Sequence, residues 1–147
     1  VILEDTQVAD HARHLRDAVE ACTEARSTCL RTATYCIETG GRHLKPDHLR
    51  LLMDAAEVAG LHAGFLLRGS QYRDHTAAAA IAVLRAAAAD CDGFEGDGHM
   101  LHCAEACRRA ADSCEDPASD LGGAASYDDS VAQTFPASDP TSTRSTL

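Results

Sequence analysis

Seven cysteines carry the chemistry open to this chain: Cys22, Cys29, Cys36, Cys91, Cys103, Cys107 and Cys114. The densest run, "HCAEACRRAADSCE" at 102–115, sets Cys103 and Cys107 four residues apart. On a helix that is one turn on one face, near enough to share a metal ion or to hold adjacent ones. Cys22, Cys29 and Cys36 stand seven apart, which is two turns and a rise of about 10.5 Å on nearly the same face. No two of those three can bind one ion, so each needs partners from other helices. An odd number of thiols cannot all pair within the chain, and 147 helix-rich residues have no need of a dense disulfide framework. Thiols kept for metal, in a reducing compartment, are the reading that follows. With Met100, His48 and His62 on the apolar stripes, the donors form a soft set that favours Cu(I) and leaves zinc as a second candidate. Zinc would want four tetrahedral ligands, and the usual pair of cysteines separated by two residues is absent.

Other chemistries fit less well. His43, His99 and His102 fall in or near loops, as surface groups or as metal ligands at a mouth. Asp54, Glu57 and Asp90 do not make the repeated Glu-x-x-His set of a di-iron carboxylate bundle. No phosphate-cradling glycine loop or hydrolase triad is visible, so the residues lean away from an enzyme. A formal net charge of -10 excludes a nucleic-acid binder, which needs a clustered basic surface, and gives no attraction to anionic lipid. The longest low-charge run, "HTAAAAIAVLRAAAAD", is short and broken by Arg85, so no membrane span is expected and the predicted location is cytoplasmic.

Four helices must position these groups. Small and apolar residues recur at three- and four-residue steps through Leu15, Ala18, Cys22, Ala25, Cys29, Thr32 and Cys36, which predicts a helix over about 8–39, stopped at Gly40 and Gly41. Pro46 opens a second helix whose stripe runs through His48, Leu52, Ala55, Ala59, His62 and Leu66. A third runs from near Tyr72 to Cys91, "DGFEGDG" reads as a loop, and a fourth spans about 98–115 before Pro117. The expected architecture is all-α, an antiparallel up-down four-helix bundle over 1–116, followed at 117–147 by a polar, acidic Ser/Thr/Pro-rich tail, partly extended. That topology gathers Cys36, Cys91, Cys103 and Cys107 toward one end, with His48, Met100 and Cys29 nearby. His48, at a helix start, is expected to be partly exposed. The other end receives Cys22 and Cys114, with His62 at their height and His14 and His75 flanking. Bundles of this size often dimerise, which admits a homodimer.

Over residues 15–115 the chain resembles the cysteine-rich four-helix-bundle family that includes the cytosolic copper storage proteins. The segments that carry the likeness are "HLRLLMDAAEVAGLHAGFLLRGS" and "CAEACRRAADSCE". In that family, cysteines spaced alternately by three and four line the bundle and hold many Cu(I) ions. The matching register here reads Ala18, Cys22, Ala25, Cys29, Thr32, Cys36 in the first helix and Met100, Cys103, Cys107, Ala110, Cys114 in the fourth. Ala77, Ala80, Leu84, Ala87 and Cys91 continue it in the third. His48, Ala55 and Ala59 stand in the second where the family commonly has cysteine. The resemblance therefore implies the fold, and copper ions as cargo, but with more than half of the thiol positions replaced. It predicts low-capacity Cu(I) buffering, storage or delivery. Two alternatives stay open. Alanines lining the core with His62, Cys22 and Cys114 would enclose a pocket for a small-molecule ligand or a metal-dependent reaction. Otherwise the bundle is structural or partner-binding and its cysteines are inert.

Overall fold

Four helices build the described residues: α1 (Ile2–Thr39), α2 (Pro46–Leu67), α3 (Arg73–Asp92) and α4 (Gly98–Cys114), with a 3-10 turn at Gly41–Leu44. The computed structural model describes residues 2–115, and the tail expected over 117–147 lies outside them. Helix α1 starts six residues before the expected boundary at 8. Glu4 and Asp5 occupy its first turn, where carboxylates favour the helix N-terminus, and residues 4–11 are all exposed. A turn that buries no face leaves no apolar period to read.

The ends follow from local chemistry. Gly40 takes φ 77° and donates its N–H to the Cys36 carbonyl at 3.0 Å, closing α1 in the left-handed conformation that glycine adopts without strain. Pro46 stands in the first turn of α2, where its missing N–H costs nothing. Asp97 caps α4, its Oδ1 accepting from the backbone N–H of His99 at 3.0 Å and of Met100 at 3.2 Å.

The helices pack in a ring, each against its neighbours in the chain, and α4 closes back on α1. This is an all-α up-down four-helix bundle, with no strand among the described residues. No helix among those residues is long and apolar enough to cross a membrane. The core is built from small groups: Ala25, Ala55, Ala59, Ala80, Ala87 and Ala110 are sealed, and all seven cysteines are free and buried. Short side chains let the helix axes approach, and the few large ones supply much of the apolar burial. Leu52, Leu84 and Met100 are the bulkiest fully buried side chains. Leu84→Ala is therefore expected to cost about 3 kcal/mol, the middle of the range for a buried leucine. Urea unfolding of the metal-free protein checks this, and a loss below about 1 kcal/mol would mean that the core closes over the gap.

Candidate metal centre

The antiparallel run of α1 and α4 lays their sulfurs side by side at three heights. Cys22 Sγ lies 3.5 Å from Cys114 Sγ. Cys29 Sγ lies 3.5 Å from Cys107 Sγ and 3.9 Å from Cys103 Sγ. Cys36 Sγ lies 3.8 Å from the Met100 thioether. The seven-residue spacing on α1 sets the three tiers, and α2 and α3 complete each from the other side.

The middle tier is the densest. The sulfurs of Cys29, Cys103 and Cys107 all lie within 4.8 Å of one another, and none of the three residues is exposed. Cys91 from α3 and the Thr32 hydroxyl both act on the Cys103 thiol. Cys103 thus collects donors from Cys107, Cys29, Cys91 and Thr32, which draw its thiol well below the ordinary value against the opposing effect of burial. The others hold their protons. Cys29 is raised by its bonds to Cys103 and Cys107 and by burial, and Cys91 by its bond to Cys103 and by burial. Cys107 is pushed up to about 12, chiefly by its bond to Cys103. Cys103 is the sulfur on which these effects converge.

The near tier joins Cys36, His48 and Met100. His48 Nδ1 donates to Asp90 Oδ2, which leaves Nε2 facing Cys36 Sγ at 3.4 Å. A carboxylate behind an imidazole fixes its tautomer and ring orientation, the arrangement found behind metal-bound histidines. His48 is only 4% exposed, against the partial exposure expected at a helix start, because Phe94 folds back over it. Burial, then the charges of Asp97, Cys103 and Asp90, push the Cys36 thiol up to about 11. Beyond Phe94, Asp97 Oδ2 accepts from Tyr35 Oη at 2.9 Å and from His43 Nε2 at 2.8 Å. Desolvation works to raise Asp97, but these bonds and its cap bonds outweigh it and hold the carboxyl below its ordinary range.

The far tier pairs Cys22 and Cys114 with His62. Thr76 gives its hydroxyl proton to the Arg73 carbonyl at 3.0 Å and accepts from His62 Nδ1 at 2.7 Å, leaving His62 Nε2 for Cys114. The bond to Cys22, helped by His62, brings Cys114 down to about 5, while Cys22 is raised by the same bond and by burial.

The cysteines, Met100, His48 and His62 thus all line the interior, in three tiers rather than at two ends. Cys36 makes its contacts with His48 and Met100, and Cys29 joins Cys103 and Cys107 one tier away. His14 is half-buried on α1, and His75 is exposed on α3. His99 and His102 are exposed on α4 itself rather than in a loop. Sequence reasoning misses Thr76 and Phe94, places Thr32 on the inward stripe without a role, and weighs Asp90 only as an iron ligand. For Asp97 a signal existed, since an aspartate directly before a helical stretch is a standard cap.

The family profile for copper storage proteins matches residues 11–119. Among solved structures, the Nmul_A1745 protein from Nitrosospira multiformis is 34% identical over 70% of this chain and 93% of its own, with a TM-score of 0.66. The Cu(I)-bound copper storage protein BsCsp3 shares the fold at a TM-score of 0.64, with 24% identity over 69% of this chain and 94% of its own. No curated protein matched.

Proposed function

The chain belongs to the copper storage protein family, and on that premise we propose that it is a low-capacity Cu(I) binder whose interior tiers of sulfur and imidazole buffer or deliver copper. The observation that carries this reading is the middle tier, three buried sulfurs converging within 4.8 Å with Cys91 beside them. Thiolates are the donors that select Cu(I), and a dry core keeps the bound ion from water and oxidants. The near tier adds Cys36, Met100 and His48, with Asp90 orienting the imidazole. The far tier adds Cys22, Cys114 and His62. We assign the activity to the bundle, residues 1–116. Its setting is the cytoplasm, where seven free thiols would stay reduced.

Binding is coordination with proton release. The ion replaces the S–H bonds among Cys103 and its neighbours, which surrender their protons as copper takes up their sulfurs. Because alanine, threonine, leucine, methionine and histidine occupy the other register positions, the capacity is small. Anaerobic titration against a chromogenic Cu(I) chelator should give about three tightly held ions per chain, one per tier. A chain that takes no copper from the chelator, or that holds many more ions than it has tiers, would overturn the reading.

A further inference from the structure

Thr32 faces two ways. On its inner side it helps to draw down the Cys103 thiol of the middle tier, and on its outer side it floors a surface groove of about 310 Å³ between α1 and α4. Thr28 completes the floor. Tyr35 and Glu38 from α1, and His99 and His102 from α4, border the groove. The two histidines are exposed and three residues apart on α4, so both rings stand over the same groove. His99 lies flat against Tyr35, ring centroids 4.1 Å apart at 23°, which holds one of the two imidazoles in place. Arg31 also borders the groove, but its guanidinium is paired with Glu24 at 3.5 Å.

The end of the bundle next to the near tier is closed. Phe94, 7% exposed, covers His48 at 4.7 Å and His43 at 4.6 Å between centroids. The Arg42 guanidinium sits 4.7 Å over the Phe94 ring, a fixed positive charge in the path of an arriving cation. The flank presents two imidazoles and the Glu38 carboxylate beside an Arg31 already paired with Glu24. At the end, the Phe94 ring and Arg42 stand over the imidazoles, and the Asp97 carboxylate is taken up by Tyr35 and His43.

We infer that Cu(I) is admitted through this flank groove, captured by His99 and His102 and passed across Thr32 to Cys103, rather than through the bundle's end. The inference rests on the proposed role of the middle tier as the store. The transfer is ligand exchange without redox change. A bond from copper to its small carrier breaks as the bond to imidazole nitrogen forms, and that bond breaks in turn as copper binds the Cys103 sulfur. Copper stays Cu(I) throughout, and protons displaced from the neighbouring thiols pass to solvent.

The test is the rate of loading of the full chain from the Cu(I)–bathocuproine disulfonate complex, followed anaerobically by loss of the complex's colour. His99→Gln with His102→Gln alters two exposed residues and leaves the core intact. It should slow loading roughly tenfold with the bound copper at the plateau unchanged. Thr32→Leu, which closes the floor with an apolar group, should slow it as well. Phe94→Ala, which opens the end, should leave the rate where it was. Loading of the double variant at the wild-type rate, or acceleration by Phe94→Ala, overturns the flank route. A wild-type plateau at zero copper instead defeats the storage reading, and the route falls with it. The plateau reads one idea and the rate reads the other.

Discussion

Cys103→Ala is expected to weaken the tightest Cu(I) site by at least about 100-fold, because losing even an outer-shell partner costs 10–100-fold and Cys103 would be a direct ligand. Its sulfur is the meeting point of the middle tier, bonded to Cys29, Cys91, Cys107 and Thr32. Removing it leaves Cys29 and Cys107 still 3.5 Å apart but without the third sulfur that lies within reach of both. Cys22→Ala, by contrast, touches only the far tier, whose sulfur partner is Cys114, and should leave the tightest site within about threefold of the wild type. The comparison is sound only if both variants fold. Exchanging a buried thiol for a methyl group in this core should cost about 1 kcal/mol, a common single-substitution effect that circular dichroism can bound. Competition titrations of the two variants under anaerobic conditions give the ratio directly. Equal losses would mean that copper spreads over the tiers without a preferred centre. Cys107→Ala should fall close to Cys103→Ala, and the double variant should lose less than the sum of the two, as contacting residues in one network do.

The bundle was readable because small and apolar residues repeat at three and four along each helix, and because glycine and proline mark the turns at Gly40, Gly41 and Pro46. The antiparallel order of the helices also made it plain that α4 must supply partners to α1. The height at which they meet was not readable. Shifting α4 by one turn, about 5.4 Å, changes which sulfur each cysteine faces, and that offset is set by the packing of loops and cores rather than by any local pattern. Counting along the chain put Cys36 among Cys91, Cys103 and Cys107. In the structure Met100 is the sulfur beside Cys36, and Cys29 takes the central place. Groups that support the ligands were hidden for a different reason. Asp90 was weighed only as an iron ligand, and a carboxylate whose task is to orient His48 has no spacing signature of its own. Phe94 lies in "DGFEGDG", whose glycines announce a loop but not that the ring turns back over two imidazoles. Thr32 stands on the inward stripe with no role legible, Thr76 is one more polar residue of a helix, and only the fold gives them a sulfur and an imidazole to serve.

Retention of copper should fall steeply with acid, and by tier. Cys36 at about 11 and Cys107 at about 12 hold their protons at neutral pH, and Cys29 and Cys91 are raised as well. Copper must displace those protons, so each one makes the apparent affinity rise roughly tenfold per pH unit. Between pH 7.5 and 5.5 a middle tier that releases two protons should lose about four orders of magnitude. The far tier behaves differently, since the bond to Cys22 lowers the Cys114 thiol and leaves Cys22 as the group whose raised proton copper must displace. Its copper should be the last to leave. Chelator competition at a series of pH values separates the steps, and an affinity independent of pH would mean that the raised thiols are not ligands. The metal-free protein should show the opposite limit. Thiols raised in the fold above the ordinary 9.0 favour the folded state fully below that value, and their contribution is lost as pH climbs through about 11 for Cys36 and about 12 for Cys107. The empty bundle should therefore unfold in alkali between about pH 9 and 12, where the buried thiols would otherwise have to ionise in a dry core. The copper-loaded chain, its sulfurs already deprotonated and neutralised by the ion, should stay folded through the same window. Far-ultraviolet circular dichroism of the two forms against pH makes the contrast, and coincident alkaline transitions would show that the interior thiols hold no copper.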